Sequence, residues 1–209
     1  MGRKSKADER KSEILGHLYH VLRETGLTGA SIGNVAARMG VNPSLIVHYF
    51  KSKEEMMVEM VDFLLSQYES AYLGQLEHIE DTTERLEFAL NAIFGVDWLD
   101  VTDPKVLYAC YYMSHHNERV RARFAHMHDW FRQLLVAELE SILPGPGATE
   151  KAVRLAELVI VLNEGATYMH GIWTDREEYA QRGQFLKQIV LGALSEAGVQ
   201  LPSPSKVSE

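Results

Sequence analysis

The residues with the most chemistry to offer lie between positions 43 and 53. Pro43-Ser44-Leu45-Ile46-Val47-His48-Tyr49-Phe50 is followed closely by Lys51 and Lys53. Read as a short helix with Ile46 and Phe50 turned inward, the stretch leaves Ser44, Leu45, Val47, His48 and Tyr49 on the outer face or its flanks. Leu and Val make poor solvent surface but good partners for thymine methyl groups, and polar tips beside them suit phosphate oxygens. A helix of eight residues is about 12 Å long, about the width of a DNA major groove. The chemistry on offer is recognition of a nucleic acid.

Other chemistries find less support. No Gly-x-Ser-x-Gly, His-Glu-x-x-His or phosphate-binding Gly-Lys-Ser/Thr pattern occurs, nor a Glu-x-x-His pair for a di-iron bundle. The chain is therefore not expected to be an enzyme or to carry a cofactor. Nine histidines invite a metal reading. Yet His115 and His116 are adjacent, and His126 and His128 are two apart, spacings that put neither pair on one helix face. No metal site is expected.

The elements that must position the 43–53 stretch read as helices throughout. Prolines occur only at 43, 104, 144, 146, 202 and 204, and no alternating β-branched run with a tight-turn dipeptide appears. A first helix is expected from about Ala7 to Glu24, with Ile14, Leu15, Leu18 and Leu22 on its inner face and Gly26 at its end. Ser31 caps a second helix that closes at Gly40, with Ile32, Val35, Ala36 and Met39 facing in. Asn42 caps a third helix and Pro43 occupies its first position, where a missing N–H costs nothing. Ser52 with Glu55 forms a capping box for a long fourth helix reaching about Leu76. Helix, turn at Gly40 and short second helix together make a helix-turn-helix at about 31–50. Further helices are expected at about 83–97, 105–115, 118–142, 149–172 and 176–197, with a loop from Asp97 to Asp103 and a break at 143–149. The fold class is all-α.

Charge separates the two ends. Residues 1–53 hold nine Lys/Arg against four acids, whereas residues 54–209 hold 12 against 25. A basic head on an acidic body suggests that the head meets a polyanion. At 209 residues and 46% hydrophobic content there is material for a real core. The single cysteine, Cys110, rules out an internal disulfide and any cysteine-based metal cluster. The first residues show no secretory pattern, and the longest apolar run, Val106 to Met113, is too short to span a bilayer. A cytoplasmic protein with no membrane partner is expected.

Residues 8–68 resemble the DNA-binding domain of the TetR family of bacterial transcription regulators. The matching features are Ile14-Leu15, Gly26, Ser31, Val35-Ala36, Gly40-Val41, His48-Tyr49-Phe50 and Ser52-Lys53-Glu54. The His-Tyr-Phe ending is closer to the BetI-like branch of that family. The chain departs from the common pattern at Val47, usually tyrosine, and at Pro43-Ser44, where a glycine often holds the second position. The resemblance implies an N-terminal three-helix helix-turn-helix domain and a C-terminal helical domain for ligand binding and dimerisation, spanning 69–201, with 202–209 as a tail. It implies double-stranded DNA as partner, contacted by Pro43, Ser44, Leu45, Val47, His48 and Tyr49, with Lys53 on a phosphate. Thr28 and Ser31 would lie near phosphates at the second helix's N-terminus. A basic arm of Arg3, Lys4, Lys6, Arg10 and Lys11 is a further candidate for such contacts, or else a solvated tail.

The body adds two expectations. Leu155–Leu162 is apolar around most of the helix, and Phe185, Leu186, Ile189, Val190, Ala193 and Leu194 form a second broad stripe. A homodimer packing helices 149–172 and 176–197 as a four-helix bundle would cover both. The middle is rich in aromatic residues, mostly core. From it and nearby polar groups, Trp98, Tyr111, Tyr112, His115, Trp130 and Asn163 are candidate contacts for an unknown small-molecule effector. The function expected is a ligand-responsive repressor on a palindromic operator. The alternative is a helical small-molecule-binding protein or enzyme whose helix-turn-helix does not function.

Overall fold

The computed structural model describes residues 5–199. Arg3 and Lys4 of the basic arm and the tail 202–209 lie outside the described residues. The described chain is helical from end to end: α1 Lys6–Gly29, α2 Ile32–Met39, α3 Pro43–Tyr49, α4 Lys53–Tyr68, a π turn Glu69–Leu73 and α5 Gly74–Leu76. After these come α6 Thr82–Phe94, α7 Trp98–Val101, α8 Pro104–Ser114, α9 Glu118–Ile142, α10 Ala148–Trp173 and α11 Arg176–Glu196.

Two compact units emerge. Of the described residues, the first gathers those up to Tyr68 together with Thr102–His128; the second gathers Glu69–Val101 and those from Asp129 onward. One division falls at 68/69, and residues 102–128 pack with the N-terminal helices. Val106 and Cys110 of α8 are fully buried, and α8 lies against α1 and α4. The Tyr19 hydroxyl of α1 accepts a hydrogen bond from the Asp103 N–H at 2.6 Å. Burial pushes the Cys110 thiol up to about 12, so it is an inert apolar side chain.

Local sequence explains most boundaries in the first unit. Ser5 and Asp8 form a reciprocal capping box that starts α1. Ile14, Leu15, Leu18 and Leu22 are buried along its inner face. Gly26, at φ 65°, breaks the helix where expected, and one more turn carries it to Gly29. In α2, Val35 and Ala36 are fully buried, while Ile32 and Met39, expected inside, are only half-buried. The Ser52 hydroxyl accepts from the Glu55 N–H at 3.2 Å. The return bond reaches one residue further than a capping box: the Glu55 carboxylate accepts from the Lys51 N–H at 2.8 Å.

The second unit is built on α6, α9, α10 and α11. Leu86, Leu90, Leu135, Leu139, Ala152, Leu155, Ala156, Val159, Val190 and Leu194 make its core. Helix α6 stops at Phe94, short of the expected 97, because Gly95 turns extended and its N–H closes back on Ala92. The expected loop from Asp97 contains the single turn α7. Where α6 and α11 cross, Gly183 faces the Phe94 carbonyl so closely that no Cβ fits between them. No helix among the described residues is long and apolar enough to cross a membrane.

Candidate nucleic-acid interface

The helix-turn-helix is assembled by four local signals in succession. The Ser31 hydroxyl accepts from the Asn34 N–H at 3.1 Å and opens α2. Gly40 takes the left-handed conformation at φ 67° and ends it, with the Val41 N–H reaching back to the Ala36 carbonyl at 3.0 Å. The Asn42 side chain then accepts from the Ser44 N–H at 2.9 Å, and Pro43 fills the first position of α3. Two side chains anchor α3: Ile46 and Phe50 have no solvent exposure.

What this anchoring leaves outside is the candidate surface. Pro43, Ser44, Val47 and His48 are exposed, and Leu45 and Tyr49 are half-buried beside them. Val47 is 47% exposed, a large value for a β-branched apolar side chain on a seven-residue helix. The His48 and Tyr49 rings meet edge to face at 5.0 Å. Thr28 is exposed and Ser31 half-buried at the start of α2. All nine residues named from the sequence thus lie in the first unit: six on α3, Ser31 as the cap of α2, Thr28 in the last turn of α1 and Lys53 at the start of α4.

Lys53, the ninth, has a structural task as well. Its ammonium donates to the Leu27 carbonyl at 2.5 Å, fastening the start of α4 to the end of α1. An ammonium carries three N–H donors, so two remain for an anion. The basic arm is more committed than the sequence suggests. Arg10 pairs with Glu13 at 2.6 Å, and Lys11 pairs with Glu59 at 2.6 Å while lying 5.3 Å above the Phe50 ring. Arg38 pairs with Glu24 at 2.7 Å.

The six candidate effector contacts do not share a unit. Tyr111, Tyr112 and His115 belong to the first, where Tyr111 and Tyr112 are 49% and 57% exposed. Each tyrosine packs on a histidine one turn along: Tyr111 on His115 at 4.8 Å, Tyr112 on His116 at 4.7 Å. Trp98, Trp130 and Asn163 belong to the second. Asn163 is buried and donates to the Ile93 carbonyl at 2.7 Å. It satisfies one of the carbonyls that α6 leaves free at its C-terminal end, so its polarity is explained by the core.

A cavity of about 380 Å³ lies elsewhere in the second unit, lined by Ala71, Tyr72, Gln75, Phe88, Asn91, Ala92, Asp97 and Val101. None of the six lines it, although Trp98 stacks behind Tyr72 at 5.5 Å. The sequence signals Tyr72 and Phe88 as members of an aromatic-rich middle. Asn91 and Asp97 carry no local signal at all. Among the described residues no three His, Cys, Asp or Glu side chains gather to hold a metal ion.

Comparison with known proteins places this architecture. Residues 14–60 match the family model "Bacterial regulatory proteins, tetR family", and residues 81–195 match "Tetracyclin repressor-like, C-terminal domain". The HTH-type transcriptional regulator BetI of Klebsiella pneumoniae (strain 342) is 25% identical over 152 residues, covering 72% of this chain and 78% of that one. A TetR-family transcriptional regulator from Cytophaga hutchinsonii superposes with a TM-score of 0.74 at 16% identity, covering 97% of this chain and all of that one. The transcriptional regulator FadR of Bacillus subtilis, solved in complex with stearoyl-CoA, superposes at 0.66 and 14% identity, with 87% and 97% coverage. These structural likenesses establish the fold. The two family models between them span both the helix-turn-helix and more than half of the chain, and the chain belongs to the TetR family of DNA-binding transcription regulators, a regulator and not an enzyme.

Proposed function

We propose that the protein is a ligand-responsive repressor that acts in the cytoplasm as a homodimer on a palindromic operator. Helix α3 enters the major groove. Pro43, Ser44, Leu45, Val47, His48 and Tyr49 meet base edges and flanking phosphates, Thr28 and Ser31 meet phosphates at the start of α2, and Lys53 adds another phosphate with the donors that Leu27 leaves free. The observation carrying this reading is the split of α3 into a fully buried pair, Ile46 and Phe50, and an outer face where Val47 stands 47% exposed.

Dimerisation is supported by the outer faces of α10 and α11. Val161, Tyr168, Ile172 and Trp173 on the former, with Phe185 and Ile189 on the latter, are between 41% and 68% exposed. Spacings of seven and four residues put Val161, Tyr168 and Ile172 on one stripe. A second copy related by a two-fold axis would cover these side chains and present two α3 helices to two half-sites.

Titrating the full chain against the DNA upstream of its own gene at two salt concentrations tests the reading. Six or so phosphate contacts make affinity fall by about 10³-fold between low and physiological salt. Affinity for that DNA indistinguishable from random sequence would instead favour the alternative, a helical small-molecule-binding protein with an inactive helix-turn-helix.

A further inference from the structure

The cavity of the second unit sits at an irregularity. Ala71 and Tyr72, two of its lining residues, belong to the π turn Glu69–Leu73. Such turns recur at functional sites, because the extra residue re-aims side chains that a regular helix would point elsewhere. The volume, about 380 Å³, is at the small end of ligand pockets, which run from roughly 300 to 1,000 Å³.

Its polar groups have a definite sense. Asp97 is the only charged residue in the lining, and no ion pair engages it among the described residues. Its neighbour Asp100 is held by two hydrogen bonds from Arg176, both 2.8 Å. The Tyr72 hydroxyl is buried without a hydrogen-bond partner among the described residues. Burial and then the charge of Asp97 push this phenol up to about 12, so it remains a neutral hydroxyl. The Gln75 amide nitrogen donates to the Ala71 carbonyl at 2.8 Å, which leaves its oxygen to accept. Lys187 directs its ammonium at the Asn91 side-chain oxygen, 2.6 Å away, with Glu87 at 3.8 Å, and Arg176 feels the charge of Asp97 but spends its hydrogen bonds on Asp100 and the Val96 carbonyl. The lining therefore offers a carboxylate and an amide oxygen as acceptors, beside the Tyr72 and Phe88 rings.

From this geometry we infer that the cavity binds a small protonated amine carried on an aromatic or apolar body, its ammonium N–H groups donating to Asp97 and Gln75. An anion would face the Asp97 carboxylate with no free cation in the lining to answer it. A neutral body would leave that carboxylate partly desolvated and unpaired. A quaternary ammonium satisfies the charge but brings no N–H for the Gln75 oxygen. The inference rests on the reading of the protein as ligand-responsive and specifies the class of ligand.

Calorimetric titration of the full chain with three probes of one shape tests it: benzylamine, benzyl alcohol and benzyltrimethylammonium. Hydrogen bonds to a charged group are worth enough that benzylamine should bind about tenfold or more tighter than either analogue. Asp97→Asn, at an exposed position, should erase that preference. Equal affinity for benzyl alcohol, equal affinity for the trimethyl analogue, a preference that survives Asp97→Asn, or no binding of benzylamine would each overturn the inference. Salt-dependent DNA binding in the same preparation separates the two failures. If benzylamine binds in the expected pattern without changing DNA affinity, the site stands and the ligand-responsive reading falls.

Discussion

The hydroxyl of Tyr19, in the middle of α1, accepts a hydrogen bond from the backbone N–H of Asp103, 84 residues along the chain, at 2.6 Å. Asp103 is in turn the N-cap of α8, its carboxylate accepting from the Lys105 N–H at 2.9 Å. One side chain thus fixes the entry of α8 onto the helix that carries the helix-turn-helix. Burial raises the Tyr19 phenol above its ordinary value, against the opposing effect of the Asp103 bond, so the hydroxyl stays neutral. Tyr19→Phe leaves the Asp103 N–H without its acceptor and should cost about 1–2 kcal/mol. For a chain of this size each such kcal/mol lowers the melting temperature by about 2–4 °C. A thermal melt that matches wild type would show the bond to be dispensable.

Gly183 should tolerate no larger residue. Its Cα faces the Phe94 carbonyl where α11 crosses α6, and a Cβ there would overlap the oxygen. The obstacle is backbone and cannot swing aside, so Gly183→Ala must push the helices apart. Overpacking of this kind costs about 3 kcal/mol. Gly192 on the same helix has open space around its Cα, and Gly192→Ala should leave stability unchanged or raise it. Denaturant titration of the two variants side by side checks the contrast.

These two positions mark the limit of what sequence could reveal. The helix-turn-helix was legible because its determinants are local: a serine cap at 31, glycine at 40, asparagine and proline at 42 and 43 act within a few residues of themselves. The placement of 102–128 with the N-terminal helices was not, because it depends on Tyr19 finding Asp103 and on Cys110 and Val106 finding α1 and α4. Asn163 was named from the sequence as a candidate polar contact; its partner in the fold, the Ile93 carbonyl, becomes free only because Gly95 stops α6 early. The cavity was hidden for the same kind of reason. Asp97 reads as an ordinary loop acid until the π turn brings Tyr72 beside it.

Thr174 joins α10 to α11 in the left-handed conformation, at φ 56°, the only non-glycine described residue with positive φ. A β-branched residue pays about 1–2 kcal/mol there, and glycine avoids it. Its N–H donates to the His170 carbonyl at 2.7 Å, a bond that glycine preserves. Thr174→Gly should therefore raise the melting temperature by about 2–4 °C per kcal/mol recovered. A lower melting temperature would mean that the threonine side chain contributes more than its backbone strain costs.

Glu164 gives stability a pH dependence. Burial alone raises its carboxyl above the usual 4.5. A folded-state value above the unfolded one means that the protonated form is favoured by folding. The contribution is complete below pH 4.5 and is lost as pH rises through the raised value. Glu164→Gln, which cannot ionise, should match wild type in acid and melt higher at neutral pH. Melting temperatures recorded on both sides of that window read the difference directly; parallel curves for the two proteins would place the group in solvent.

The groove-facing role of α3 is tested most directly by measuring binding of the upstream DNA by fluorescence anisotropy for wild type, His48→Ala and Tyr49→Ala, with the sedimentation of each protein recorded alongside. His48 is exposed and Tyr49 half-buried, and the buried anchors Ile46 and Phe50 are left untouched, so both variants should keep the fold and the oligomeric state of wild type. Each should lose specific binding by about 1–3 kcal/mol, which is about 5-fold to 150-fold in affinity. Wild-type affinity in both variants would contradict the assignment of α3 as the element that reads DNA.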